Sequence, residues 1–214
     1  MKPAPAWPRR GLYLITPDEH DTRRLLARVH AALAAGPVLL QYRNKPAGAS
    51  LRREQARELL VLCRHFGVPL IINDDWRLAA KLGAAGAHLG EGDGELAPAR
   101  EALGPQAILG ASCYDQLGRA ERAAAAGASY LAFGAFFASS TKPAARRADL
   151  SLLQASAVLG LPRVAIGGIT PDNAATLAAA GADLVAALGS VFNAPDPAVV
   201  VRAFARCFPP LSNE

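Results

Sequence analysis

The chain has 214 residues, enough for one large domain or two small ones and for a sizeable core. Its 51% hydrophobic and 19% charged content is ordinary for a globular protein, and no apolar stretch approaches the roughly 20 residues of a transmembrane helix. The net charge of +5 is scattered in pairs such as Arg9-Arg10, Arg23-Arg24, Arg52-Arg53 and Arg146-Arg147, and at 6% aromatic content there is no basic stripe with stacking platforms to suggest nucleic acid.

Residues 1–10 carry charge without an apolar stretch and read as a flexible arm, not a signal peptide. The three cysteines, Cys63, Cys113 and Cys207, are far apart and form no Cys-x-x-Cys. That spacing argues against a disulfide scaffold or a zinc site and for a reducing, cytoplasmic compartment.

Hydrophobic periodicity then alternates without a break. Leu12 to Thr16 reads as a strand ended by Pro17, and Asp21 to about Ala34 as a helix stopped before Gly36. Val38 to Tyr42 is a second strand, followed by a helix from Ser50, a candidate N-cap, to Phe66. Val68 to Asn73 is the third strand, Trp76 to Leu82 a short helix, and Ala87 to Leu89 a weak fourth strand. Pro98 to Leu103 is helical, Ala107 to Ala111 is strand five, and Asp115 to Ala126 is helical. Tyr130 to Phe133 is strand six, Asp149 to Leu159 a helix, and Arg163 to Ile166 strand seven. Pro171 to Ala180 is a helix with Thr170 as cap, Asp183 to Leu188 strand eight, and Pro197 to Phe208 the last helix.

Gly36, Gly67, Gly83, Gly104, Gly127, Gly160 and Gly181 set the rhythm, in the position where glycine closes helices. Eight strand–helix units in a single domain predict the α/β fold of a (β/α)8 TIM barrel, residues 209–214 being a tail. The rival is a doubly wound open sheet, whose phosphate site is usually a glycine-rich turn after the first strand. Here that turn is Thr16-Pro17-Asp18-Glu19, without glycine, which favours the barrel.

Polar clusters follow the apolar runs: Gln41 to Lys45, Asn73-Asp74-Asp75, Gly90-Glu91-Gly92-Asp93, Ser112-Cys113-Tyr114 and Ser139 to Lys142. In a barrel these strand ends converge on one mouth. Cations at Arg43, Lys45 and Lys142 suit phosphate, and the Asp74 and Asp93 carboxylates suit a hard metal such as Mg2+. Gln41, Arg43 and Lys45 alternate and share one side of their strand end, with Tyr42 and Asn44 on the other. Asp74 can serve instead as a turn or cap residue, although Asp75 is the better candidate N-cap. Gly167-Gly168 running into the Thr170-Pro171 helix start, and Gly189-Ser190 after strand eight, read either as permissive turns or as a phosphate cradle. Ser139, Thr141 and Lys142 fit phosphate binding or a closing lid. His88 reads as packed structure, no Ser-His pair is legible, and Cys113 has no activating base beside it. A site rich in phosphate and metal ligands but without an evident acid–base pair favours stabilising a leaving diphosphate.

With these segments in this order the chain resembles the thiamine phosphate synthase (thiamine-phosphate pyrophosphorylase) family, from Leu12 to about Phe208. The matching stretches are Leu12 to Thr16, Gln41 to Lys45, Ile72 to Asp75, His88-Leu89-Gly90, Gly110-Ala111-Ser112, Phe133-Gly134 with Ser139 to Lys142, Ala165 to Ile169, and Gly181 to Asp183. The resemblance implies a Mg2+-dependent transferase of thiamine biosynthesis. Such an enzyme joins a hydroxymethylpyrimidine diphosphate to a thiazole phosphate and releases diphosphate through a pyrimidine-stabilised cation. By the same resemblance Asp74 and Asp93 hold the metal, and Gln41, Arg43, Lys45, Asn73, Ser112 and Lys142 bind the pyrimidine diphosphate, with Lys142, Arg43 and Ser112 serving catalysis. Ser139, Thr141, Gly168, Leu188 and Gly189 hold the thiazole phosphate. The implied partners are these small molecules, with a homo-oligomer allowed.

Three departures stand out. The family's Pro-Thr-x-Thr-Lys is Ala138-Ser139-Ser140-Thr141-Lys142 here. The residue after His-Leu-Gly, usually Gln, is Glu91, and the Val-Ser after strand eight is Leu188-Gly189, with the hydroxyl displaced to Ser190. Rival readings are a thiazole tautomerase-like paralogue, a non-catalytic phosphate-ligand sensor and a ribulose-phosphate-type barrel enzyme. The two aspartates, the diphosphate cluster and the lack of a histidine in Ser112-Cys113-Tyr114 speak against the tautomerase. The sensor has no appended regulatory domain to support it, and a ribulose-phosphate-type enzyme would not explain two cationic clusters matched to a diphosphate.

Overall fold

A computed structural model describes residues 10–138 and 147–208. Strands β1 (Gly11–Ile15), β2 (Leu39–Tyr42), β3 (Leu70–Asn73), β4 (Gly86–Leu89), β5 (Ile108–Tyr114), β6 (Tyr130–Gly134), β7 (Arg163–Ile166) and β8 (Leu184–Ala187) alternate with helices. The helices are α1 (Thr22–Leu33), α2 (Ala49–Phe66), α3 (Trp76–Leu82), α4 (Leu96–Leu103), α5 (Leu117–Ala125), α6 (Ser151–Ala155), α7 (Pro171–Ala179), α8 (Gly189–Phe192) and α9 (Pro197–Ala205). All neighbouring strands are parallel, and β1 pairs with β8 to close the barrel.

The strands alternate between two packed layers, as a period of two requires. Leu12, Leu14, Leu40, Leu70, Ile72, Leu131 and Phe133 face outward and bury the apolar faces of the helices. Tyr13, Ile15, Leu39, Ile71, Tyr130, Ala132, Val164, Leu184 and Ala186 fill the barrel interior.

The helix ends obey local rules. Asp21 caps α1 by accepting from the N–H groups of Arg23 and Arg24, Asp75 caps α3, and Thr170 precedes α7 with Pro171 at its first position. Gly67, Gly83 and Gly160 close their helices at φ 68°, 64° and 66°, a region that L side chains enter only at a cost.

Several boundaries differ from expectation. Helix α2 starts at Ala49 with Gly48 as its N-cap, so Ser50 lies inside the first turn. The expected helix over 149–159 shortens to α6 plus a 3-10 turn at Ser156–Leu159. Strand β5 runs on to Tyr114, with a bulge between Ser112 and Tyr114, so Ser112 is a strand residue and not part of a following loop. Strand β8 ends at Ala187, and the short helix α8, which periodicity did not reveal, follows at once.

Candidate active site

The carboxyl ends of the strands gather the residues that the sequence singled out. At the end of β2 the alternation holds. Gln41 points into the barrel and donates to the Tyr13 hydroxyl at 2.7 Å. Tyr42 and Asn44 turn to the helix side and both reach Gln55, at 2.9 Å each. Arg43 is held in place by the segment that follows β1: its backbone N–H donates to Thr16 Oγ1 at 2.9 Å, and its guanidinium meets Asp18 at 3.0 Å. The same Asp18 oxygen accepts the Lys45 N–H at 3.0 Å, which makes it a brace for both cations. Arg43, Lys45, Arg52, Asn73, Asp74 and Asp75 line one cleft. Arg52, which the sequence shows only as one of several scattered arginine pairs, is thus a third cation in that cleft.

Asp74 follows β3 in the left-handed region, φ 63°, with its N–H donating to the His88 carbonyl at 2.8 Å. Asp tolerates this conformation better than most residues. The turn hands the capping task to Asp75, whose carboxylate accepts the Leu78 N–H at 2.8 Å, and leaves the Asp74 carboxyl toward the mouth. Asp93 folds its loop back by accepting the Gly90 N–H at 2.7 Å. Burial, first, then the hydrogen bond and the charge of Asp93 push the Asp74 carboxyl up to about 6, against the pull of Lys45 and Arg43. Two carboxylates in contact compete for one proton, and a divalent cation relieves the same repulsion. Among the described residues no third His, Cys, Asp or Glu joins the two aspartates. Such a pair suits Mg2+, which keeps water and substrate phosphate oxygens in the rest of its shell.

Ser112 on β5 is inward-facing, and its Oγ lies 2.9 Å from His88 Nε2 on β4. The other ring nitrogen of His88 is 2.9 Å from the Tyr130 hydroxyl, which is 2.7 Å from that of Tyr13. The His88 and Tyr130 rings stack at 5.6 Å, because Gly110 between them in register carries no side chain. A Cβ at Gly110 would stand 2.0 Å from Tyr130 Cζ. Burial lowers His88 to about 4 and keeps it neutral, and it raises both phenols. A Ser–His pair therefore exists where none was legible. The available signal was that Tyr13, Gln41, His88, Ser112 and Tyr130 are polar residues at the inward parity of their strands. Cys113 is buried and its thiol is pushed up to about 12, in keeping with its reading as unreactive.

On the opposite side, Gly167 and Gly168 adopt φ 101° and 62° and press against the start of the loop after β6. The Phe137 N–H donates to the Gly167 carbonyl at 3.0 Å. Asn173 accepts the Thr170 N–H at 2.9 Å, so the glycines extend from a capped helix. Leu188 is the N-cap of α8 and Gly189 its first residue, and the buried Ser190 Oγ has no hydrogen-bond partner among the described residues. Glu91 forms an ion pair with Arg119 at 2.7 Å, and the Arg119 guanidinium lies 5.2 Å over the Tyr114 ring. The acid in place of the family's Gln thus ties the β4 loop to α5. Ser139, Thr141 and Lys142 lie outside the described residues.

Comparison with known proteins adds three findings. Residues 12–191 match the model of the family described as thiamine monophosphate synthase. A thiamine-phosphate synthase of Xanthomonas campestris pv. campestris is 56% identical over 195 residues, 91% of this chain and 94% of that protein. One from Methylobacillus flagellatus is 55% identical over 201 residues, 94% and 96% of the two chains. Among solved structures, thiamine phosphate pyrophosphorylase from Pyrococcus furiosus superposes with a TM-score of 0.81 at 31% identity, covering 92% of this chain and 94% of that one.

Proposed function

The chain belongs to the thiamine monophosphate synthase family, and from that premise we propose that it joins a hydroxymethylpyrimidine diphosphate to a thiazole phosphate. A C–N bond forms at the thiazole nitrogen, the C–O bond to diphosphate breaks, and diphosphate leaves. The observation that carries this reading is Asp74, set in one cleft with Arg43 and Lys45 and hydrogen-bonded to Asp93 from the loop beside it. Carboxylates that compete for a proton, beside two cations, suit a metal-bound diphosphate better than a monophosphate alone.

In this reading Asp74 and Asp93 hold Mg2+, which when bound neutralises charge on the leaving diphosphate. Arg43, braced by Asp18, and Lys45 bind diphosphate oxygens, and by the family resemblance Lys142 joins them. Asn73 and Gln41 contact the pyrimidine diphosphate from β3 and β2, and Ser112 from β5. Gly168, Leu188 and Gly189 offer backbone N–H groups to the thiazole phosphate, and by the family resemblance Ser139 and Thr141 bind it too. The buried Ser190 hydroxyl, unpaired among the described residues, supports an anion at that end. Free thiols at Cys63, Cys113 and Cys207 support a cytoplasmic setting. No helix among the described residues is long and apolar enough to cross a membrane.

Diphosphate release tests the proposal. The protein is given both substrates, with and without Mg2+, beside Asp74→Ala. Release that needs both substrates and metal, and that falls at least ~100-fold in the variant, is expected from loss of a group stabilising the leaving charge. A folded protein that releases nothing overturns the assignment.

A further inference from the structure

Five side chains from five different strands form one hydrogen-bonded series across the barrel: Gln41 Nε2 to Tyr13 OH at 2.7 Å, Tyr13 OH to Tyr130 OH at 2.7 Å, Tyr130 OH to His88 Nδ1 at 2.9 Å, and His88 Nε2 to Ser112 Oγ at 2.9 Å. Both ends, Gln41 and Ser112, belong to the proposed substrate site. The three middle residues do not, and they are buried.

We propose that Tyr13, Tyr130 and His88 are positioning residues that fix the direction of this series and thereby what each end shows to a ligand. The direction follows from donor counting. Gln41 donates its amide N–H to Tyr13. In this buried position the Tyr13 proton then goes on to the Tyr130 oxygen. Tyr130, having accepted, donates to His88 Nδ1. A neutral imidazole that accepts at Nδ1 carries its proton on Nε2, and so donates to Ser112.

The consequences differ at the two ends. With its oxygen already accepting from His88, Ser112 turns its own O–H outward as a donor. This is the reverse of a nucleophilic serine, which gives its proton to histidine. Gln41, with its nitrogen committed to Tyr13, leaves the amide oxygen Oε1 as the acceptor. The floor of the mouth therefore has a fixed pattern, an acceptor on β2 and a donor on β5. A ring that presents an amino group to Gln41 fits it, and the same ring with an oxo group meets acceptor against acceptor.

The protein labelled with 15N-histidine tests the direction without any substrate. Four histidines give signals, and His88→Gln identifies the one from His88. The expected spectrum near neutral pH shows His88 as one neutral tautomer, bare at Nδ1 and protonated at Nε2. In Tyr130→Phe the donor to Nδ1 is gone and the tautomers should mix. A proton on Nδ1 in the wild type, or an unchanged spectrum in Tyr130→Phe, overturns the proposal.

The second arm rests on the proposed function. It compares kcat/KM for the amino-pyrimidine diphosphate and its oxo analogue. Tyr13→Phe frees the Gln41 amide to turn, and the preference for the amino ring should fall roughly tenfold, the scale of one hydrogen bond. An unchanged preference in an active Tyr13→Phe protein overturns the specificity role. Absence of turnover in the wild type counts instead against the synthase reading and leaves the tautomer result standing on its own.

Discussion

Replacing Gly110 by alanine should damage the interior of the barrel more than any surface change near the mouth. Gly110 sits in the middle of β5, in register with His88 on β4 and Tyr130 on β6. Its backbone conformation is one that any residue adopts, so the substitution tests contact alone. The new Cβ would lie 2.0 Å from Tyr130 Cζ, 2.2 Å from its oxygen and 2.5 Å from Cε2. Carbon atoms rest at about 3.5–4.0 Å, so the ring must retreat by roughly 1.5 Å. It has nowhere to go, since it is fully buried, stacked on His88 and edge-on to Tyr13 at 5.7 Å.

Overpacking of this kind costs about 1–3 kcal/mol. The shift also breaks the Tyr130 hydrogen bonds to Tyr13 and His88, each worth about 1 kcal/mol net. A total of about 3–5 kcal/mol is roughly a fifth or more of a typical domain stability, and at about 2–4 °C per kcal/mol it lowers Tm by roughly 6–20 °C. Calorimetry reads the shift. The control is the same substitution in a Tyr130→Leu background, where the offending ring-tip atoms are gone and alanine should cost under about 1 kcal/mol. A Gly110→Ala protein within about 2 °C of wild type, or an equal loss in both backgrounds, refutes the reasoning.

Two further outcomes follow from neighbouring features. His88 has its pKa lowered from 6.5 to about 4 by burial, so the unfolded chain takes up a proton over a range where the folded one does not. Its neutral form therefore contributes stability that is complete above pH 6.5 and is lost as pH falls from 6.5 toward 4, up to about 3 kcal/mol. The gap in Tm between the wild type and His88→Gln should shrink across that interval; parallel curves refute the assignment. In Gly168→Ala the Cβ would stand 2.2 Å from the Ala138 carbonyl oxygen at φ 62°, so the chain leading into Ser139 must move. A displacement of about 1 Å beside the site lowers kcat/KM roughly 100-fold, and near-wild-type turnover would show that the close approach is dispensable.

The barrel was legible because each unit carries its own punctuation. Gly36, Gly67, Gly83, Gly104, Gly127, Gly160 and Gly181 all have positive φ, and each polar strand end follows an apolar run. Local signals fail where the deciding force is not local. Ser50 is a good capping residue, yet the cap falls two residues earlier, at the extended Gly48 that follows a turn over 45–47. Short α8 was missed since four residues give no periodicity.

The site divides in the same way. Asp74, Asp93, Arg43, Lys45, Asn73 and Gln41 announce themselves by residue type at a strand end, and five of these six meet around the β2–β3 cleft or the Asp93 loop beside it. Gln41 lies below that cleft, bonded to Tyr13. The Ser112–His88 pair has no such signature. Tyr13 and Tyr130 are 117 residues apart, and His88 and Ser112 are 24 apart. Only the register, with His88 opposite Gly110, brings the serine two residues beyond Gly110 within reach of the imidazole. The most informative position is therefore the one with no side chain. A glycine in mid-strand is costly for the sheet, and here it makes room for the ring that connects one half of the mouth to the other.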